Sequence, residues 1–166
     1  MSEPRRFFGK YRGTVVDNRD PLRLGRLRAL VPDVGGDVPG TWALPCLPAA
    51  AGDRLAAIAV PPVHARVWIE FEQGDPDHPI WVGCYWDERD DPGLPRERRG
   101  EAHLLLRVGD ATLTLSDDPD RGLVLEAAGA RLVLGKDGVE LSDGAGASIR
   151  LRRGQIDLND GALEVT

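Results

Sequence analysis

From Leu104 onward, apolar residues recur at alternate positions every seven to ten residues, as at Leu113/Leu115, Leu123/Leu125, Leu132/Leu134, Val139/Leu141, Ile149/Leu151, Ile156/Leu158 and Leu163/Val165. Between these pairs stand turn formers: Gly109-Asp110, Asp117–Gly122, Ala128-Gly129, Lys136-Asp137-Gly138, Asp143–Gly146, Arg153-Gly154 and Asp160-Gly161. A period of two bounded by Gly and Asp predicts short strands with one apolar face. Strands of four to six residues in a single chain bury too little apolar area to offset an ordering cost of ~1–2 kcal/mol per backbone residue. Neighbouring copies must supply the missing wall.

The first half is strand-rich but irregular. Tyr11–Asp17 reads as a strand ended by the turn Asn18-Arg19-Asp20-Pro21. Gly25–Val31 alternates Leu27, Ala29 and Val31 against Arg26, Arg28 and Leu30, and Pro32 stops it. Asp33–Pro39 reads as a Gly-rich loop, Thr41–Cys46 as a short strand with Trp42 and Leu44 on one side, and Pro48–Asp53 as a small-residue loop. After Arg54–Val60 and Pro61-Pro62 comes a hairpin, Val67–Phe71 and Ile80–Trp86, around a tip rich in Gly74, Asp75, Pro76, Asp77 and Pro79. Phe7 and Phe8 can pack back from the N-terminal arm. About five short strands joined by Gly/Pro loops suit a small closed barrel, since closure removes exposed edges. Asp87–Gly100 holds almost nothing apolar and reads as a linker. The expected organisation is therefore an arm and barrel over 1–86, a linker over 87–102 and the strand ladder over 103–166.

Composition agrees with an all-β chain: Gly 20 and Pro 13 in 166 residues favour strands and turns. The net charge of −6 is uneven, because residues 1–100 carry 14 basic and 15 acidic groups and residues 101–166 carry 7 and 12. That balance argues against a nucleic-acid binder. No apolar run reaches the ~20 residues of a membrane span, and no secretory leader is evident, so cytoplasmic synthesis is expected. Cys46 and Cys84 are then expected as reduced, buried, small apolar side chains.

Candidate chemistry is sparse. His64, His78 and His103 fall in no nucleophile or metal-ligand arrangement, so neither catalysis nor a cofactor is expected. Asp75 and Asp77 are explained by turn chemistry more simply than as paired acids or calcium ligands. The rival reading is an OB-fold module for single-stranded nucleic acid or carbohydrate, using Trp42, Trp68, Trp81, Trp86, Tyr11 and Tyr85 beside Arg23, Arg26 and Arg28. Those aromatics sit in strands with apolar partners, which favours core or subunit-interface packing. A surface fibre would explain the ladder but not the barrel.

One further pattern runs through the barrel half: Gly13-Thr14-Val15, Asp20-Pro21, Gly25-Arg26-Leu27, Val31-Pro32, Trp42-Ala43, Pro62-Val63, Val67–Phe71, Gly74-Asp75-Pro76 and Pro79–Gly83. In this order it resembles the phage baseplate assembly protein V and VgrG-type central spike proteins of contractile tails and injection systems. The resemblance covers most of the chain, with Gly13, Asp20, Pro21, Gly25, Arg26, Trp42, Phe71, Gly74, Asp75, Pro76, Pro79 and Gly83 as barrel-motif residues. It implies an OB-type barrel followed by an intertwined three-stranded β-helix in a homotrimer. It also implies a baseplate hub at the barrel end, reached through Ser2–Tyr11 and Gly74–Pro79, a PAAR-type tip protein at the other end, and a target membrane met only during puncture. The axial core of the trimer would be Leu113, Leu115, Leu125, Leu134, Leu141, Ile149, Leu151, Ile156, Leu158 and Leu163. Val63-His64-Ala65 stands where the family shows Val-Gly-Asp or Val-Gly-Glu, so the turn there does not follow from the resemblance. No lysozyme insert, long hub region or paired-histidine tip is present, and a metal-capped apex is not expected.

Overall fold

The computed structural model describes residues 5–51, 55–90, 103–118 and 120–165. The chain divides into two compact units, Met1–Gly93 and Leu94–Thr166. Residues 91–102 of the expected linker lie outside the described residues, as do 1–4 of the arm and 52–54.

In the first unit, β1 (Tyr11–Asp17) sends Gly13 and Val15 inward, and both are buried. It pairs antiparallel with β2 (Arg28–Leu30) and with a later strand, Arg66–Phe71. A third short strand, β3 (Leu44–Pro45), is followed by the two-stranded ribbon β4 (Ala49–Ala51) and β5 (Leu55–Ala57). The strand Arg66–Phe71, β6, pairs antiparallel with β7 (Pro79–Cys84), and β7 runs parallel to β3. The sheet order is therefore β2-β1-β6-β7-β3. Just outside β2 and β3, Leu27 N donates to Ala43 O (3.2 Å) and Ala43 N to Leu27 O (2.7 Å). That bridge joins the two ends of the sheet and curls it into a barrel, which leaves neither edge as a template for unwanted pairing.

Inside the barrel lie Val15, Leu27, Ala29, Val31, Ala43, Val67, Ile69 and Trp81, all buried. Val15, Ala29, Val67, Ile69 and Trp81 come from the inward phase of period-two strands, and Leu27, Val31 and Ala43 continue that phase in the residues flanking β2 and β3. The arm does pack back: Phe7 is buried, its N–H donates to Gly74 O at 2.8 Å, and its ring centroid is 6.0 Å from those of Tyr11 and Phe71. Phe8 stays exposed.

Four local expectations are corrected. Pro32–Gly35 forms one helical turn, α1, inside the expected loop, because Pro32 fills a first-turn position that needs no N–H. The strand expected over Thr41–Cys46 covers only Leu44–Pro45, and the buried residue of that segment is Ala43, between Trp42 and Leu44, where only a small side chain fits as the sheet closes on Leu27. Ala49–Ala51 is a strand, not a loop. Cys46 and Cys84 are both exposed, because Cys46 lies just past the end of β3 and Cys84 is the last residue of β7, beyond the register shift.

The second unit is one antiparallel meander of eight strands: β8 (His103–Val108), β9 (Ala111–Ser116), β10 (Leu123–Ala127), β11 (Ala130–Gly135), β12 (Gly138–Ser142), β13 (Ser148–Arg152), β14 (Gln155–Leu158) and β15 (Leu163–Val165). Every strand pairs with the next in sequence. Ala128-Gly129 and Arg153-Gly154 have positive φ at both residues, the turn form whose twist matches that of the strands it joins.

Gly138, after the β11–β12 turn, has φ +129, and a Cβ there would lie 1.9 Å from Leu151 O in β13. Gly109 has φ +57 with nothing within 4 Å. Gly109→Ala should therefore cost only the left-handed backbone strain, about 1–2 kcal/mol. Gly138→Ala should cost clearly more and lower the thermal unfolding midpoint further by circular dichroism. Equal losses would contradict the close approach of β12 and β13.

Candidate functional site

Cross-strand register turns the apolar alternation into two continuous rows on one face of the ladder. One row runs Leu106, Leu113, Leu125, Leu132, Leu141, Ile149, Leu158 and Leu163, each directly opposite the next. The other runs Leu104, Leu115, Leu123, Leu134, Val139, Leu151 and Ile156. The ten residues expected in the axial core all fall in these rows. The pairing adds Leu104, Leu106, Leu123, Leu132 and Val139, which carry the same alternate spacing and are neighbours only through register. Directly opposed apolar pairs are the stabilising unit of a sheet, and a one-residue slip would scatter both rows.

Among the described residues nothing covers the rows. Leu141 is 45% exposed, Ile156 40% and Leu163 54%, although they are the most apolar positions of the ladder. Soluble monomers rarely present contiguous apolar patches beyond ~300–600 Å². The other face carries Glu126, Arg131, Glu140, Arg150 and Asp157. Arg131 Nε is 3.0 Å from Glu126, Arg150 Nε 3.6 Å and Arg152 Nη2 3.3 Å from Glu140, and Arg150 also pairs with Asp160. Such exposed pairs contribute little stability each, roughly 0–1 kcal/mol, but they make this the wet face. It is not uniformly polar, since Val124 lies on it and is buried.

The barrel-motif residues form two local structures. In the first, the loop after β1 folds around Asp20, whose side chain is only 4% exposed. Its Oδ1 accepts from Arg26 Nη2 (2.7 Å), Arg26 Nε (3.0 Å) and Leu22 N (3.0 Å), and its Oδ2 from Leu24 N (2.7 Å) and Arg26 N (3.3 Å). The Arg26 guanidinium, with these backbone N–H groups, holds the Asp20 carboxyl far below the usual carboxylate range. Arg26 lies over the Trp42 ring at 5.5 Å, and Trp81 Nε1 donates to Gly25 O at 3.1 Å. Asp20-Pro21, Gly25-Arg26 and Trp42 thus pin the β1–β2 connection to the barrel wall.

The second structure is the hairpin tip. Asp75 Oδ1 accepts from Asp77 N (3.0 Å), and His78 O accepts from Glu72 N (2.9 Å). Arg6 Nη1 donates to Gln73 O at 3.3 Å, so the described part of the arm and the tip form one surface. Gly13 packs under Ile69, and Gly83 lies opposite Trp68 where the β6–β7 register shifts. A cavity of about 270 Å³ opens between α1 and the tip, walled by Val31, Val34, Val38, Phe71 and Pro79. Its one nearby hydroxyl, Thr41 Oγ1, already donates to Asp77 O, so no set of polar groups converges there as a reaction site requires. Among the described residues no three His, Cys, Asp or Glu side chains gather as a metal site.

Two families match the chain. Residues 11–86 match the type VI secretion system/phage-baseplate injector OB domain, a span that contains the whole barrel. Residues 104–164 match the phage baseplate V C-terminal trimerisation domain, the span of the two apolar rows. No curated protein matches the chain.

Asp20 yields a pH prediction. Its folded pKa lies below the ordinary 3.8, so its stabilisation is present above about pH 4 and is lost as pH falls through the unfolded value toward the folded one. Asp20→Asn should lower the barrel's denaturation midpoint at pH 7, read by tryptophan fluorescence. The gap between wild type and variant should narrow at pH 3. A constant gap would assign the loss to something other than this carboxylate.

Proposed function

The chain belongs to the phage baseplate V family of injector spike proteins, and on that footing we propose that it is the central spike of a contractile injection machine. Its C-terminal half is the family's trimerisation domain, so the unit of assembly is a homotrimer and the setting a phage-tail-like particle. The observation that carries the finer reading is the pair of uncovered, in-register apolar rows. Three ladders wound about a common axis would turn those rows inward and the charged face outward, giving the prism of a three-stranded β-helix. Completing the burial of each half-exposed Leu or Ile is worth roughly 1 kcal/mol, a gain repeated at every rung.

Such a prism suits a needle for mechanical reasons. At ~4.8 Å between strands, eight strands extend the ladder about 34 Å, close to the ~30 Å hydrocarbon thickness of a bilayer. Backbone hydrogen bonds run along that axis, and a dry core packed to interior density resists compression. Puncture then needs no catalytic group. The barrel is the adaptor in this reading: the arm and the Gly74–Pro79 tip dock on a baseplate hub, and a separate PAAR-type protein caps the far end.

Leu141 sits mid-row and supplies the test. Leu141→Asp would bring three carboxylates together at one level of the axis, at several kcal/mol per ion. The variant should lose the three-chain mass in light scattering and unfold at much lower temperature, while Ser142→Asp, on the wet face, should change neither. A Leu141→Asp chain that stays trimeric and heat-stable would refute the axial role of the rows.

A further inference from the structure

The mouth of the barrel beside α1 is an apolar pit bordered by unpaired acids. Core residues Ala29, Ala43 and Ile69 line it from within, and Val38 lines it while remaining 69% exposed. Its side chains are apolar save Thr41, whose Oγ1 donates to Asp77 O, and Asp77 itself. At about 270 Å³ it falls just below the ~300 Å³ at which small-molecule pockets begin. A cavity of ~150 Å³ already holds a benzene-sized ring, so this one takes an aromatic or long aliphatic side chain. Asp77 stands at the rim, and Asp33 and Asp37 flank the lining residues Val34 and Gly35 in the chain; all three acids are exposed. Among the described residues none of the three forms an ion pair. The basic groups nearby are engaged elsewhere: Arg6 and His78 lie 3.9 Å and 3.6 Å from Asp75, and Arg28 Nε donates to Gly40 O at 3.1 Å. Other acids on the barrel do hold a cation, as Asp17, Glu70, Asp87 and Asp90 show. The rim therefore keeps a negative field over an apolar hole.

We infer that this mouth is a docking site for a segment of another protein that presents one aromatic or long aliphatic side chain between Lys or Arg residues. The inference rests on the docking role proposed for the Gly74–Pro79 tip and names what that surface recognises. Charge complementarity selects the occupant. An apolar anchor fills the pit and supplies most of the affinity, while the flanking cations meet Asp33, Asp37 and Asp77 and fix its direction of entry. An acidic segment with the same anchor is turned away by the same rim.

The probe is a short fluorescein-labelled peptide with lysines on either side of a single phenylalanine, titrated by anisotropy into the purified full-length protein. It should bind at least about tenfold more tightly than the same peptide with serine for the phenylalanine, and than one with glutamate for the lysines. Asp33→Asn with Asp37→Asn should weaken it by about tenfold, whereas Asp110→Asn with Asp137→Asn, an equal change of charge at exposed ladder acids, should leave it unchanged. All four side chains are exposed, so circular dichroism should find both variants folded. No binding, or equal losses from the two pairs of substitutions, would overturn the docking site. Wild-type protein that gathers into masses beyond three chains, undone by Asp33→Asn with Asp37→Asn, would name a second copy as the occupant and overturn the assignment to another protein. The mass of the same sample keeps this inference apart from the spike reading. Rim-dependent binding by a one-chain protein would sink the spike and leave the docking site, and a three-chain protein without such binding would do the reverse.

Discussion

The constraint on which the rest of this protein depends is that its ladder satisfies every strand-to-strand pairing within one chain but cannot cover its own apolar face. Backbone hydrogen bonding is a local matter in a meander, settled turn by turn. Burial is not, because a single layer has two faces and only one, with Glu126, Arg131, Glu140 and Arg150, suits water. Two rows of Leu, Ile and Val are left on the other. The hydrophobic term is the largest favourable contribution to folding, so a unit that leaves its apolar rows half exposed is completed by association.

The barrel solves the same problem alone, which divides the labour between the halves. Its sheet curls until Leu27 meets Ala43, so one layer becomes both walls of a core. Closure demands a small residue at the seam and a controlled path for the β1–β2 connection. Ala43 supplies the first. Asp20 supplies the second by gathering three backbone N–H groups and the Arg26 guanidinium on one carboxylate, in a loop whose donors would otherwise be left without partners. One chain thus carries a barrel that is self-sufficient and a ladder that is not.

Much of this was legible in the sequence because it rests on period and punctuation. Leu113/Leu115 through Ile156/Leu158, separated by Gly- and Asp-bearing turns, could only be strands with one apolar face, and the Leu27, Ala29, Val31 alternation named its own buried side. What was not legible depended on which neighbour a residue meets. Leu44 and Ala43 differ by one position, and only the Leu27 bridge decides that the smaller faces the core. Cys46 and Cys84 are small and apolar, so composition put them inside, whereas their places at the ends of β3 and β7 leave both exposed. The helical turn at Pro32–Gly35 is too short to leave a period. Leu104, Leu106, Leu123, Leu132 and Val139 joined the rows only once register set them opposite residues already expected there.

The most direct measurement is the mass of the wild-type full-length chain by sedimentation equilibrium, followed through serial dilution. Three chains persisting at the lowest detectable concentration is the predicted result, since dissociation would return both apolar rows to water. A folded single chain at any concentration would contradict it, because a stable monomer would mean that the exposed rows need no cover.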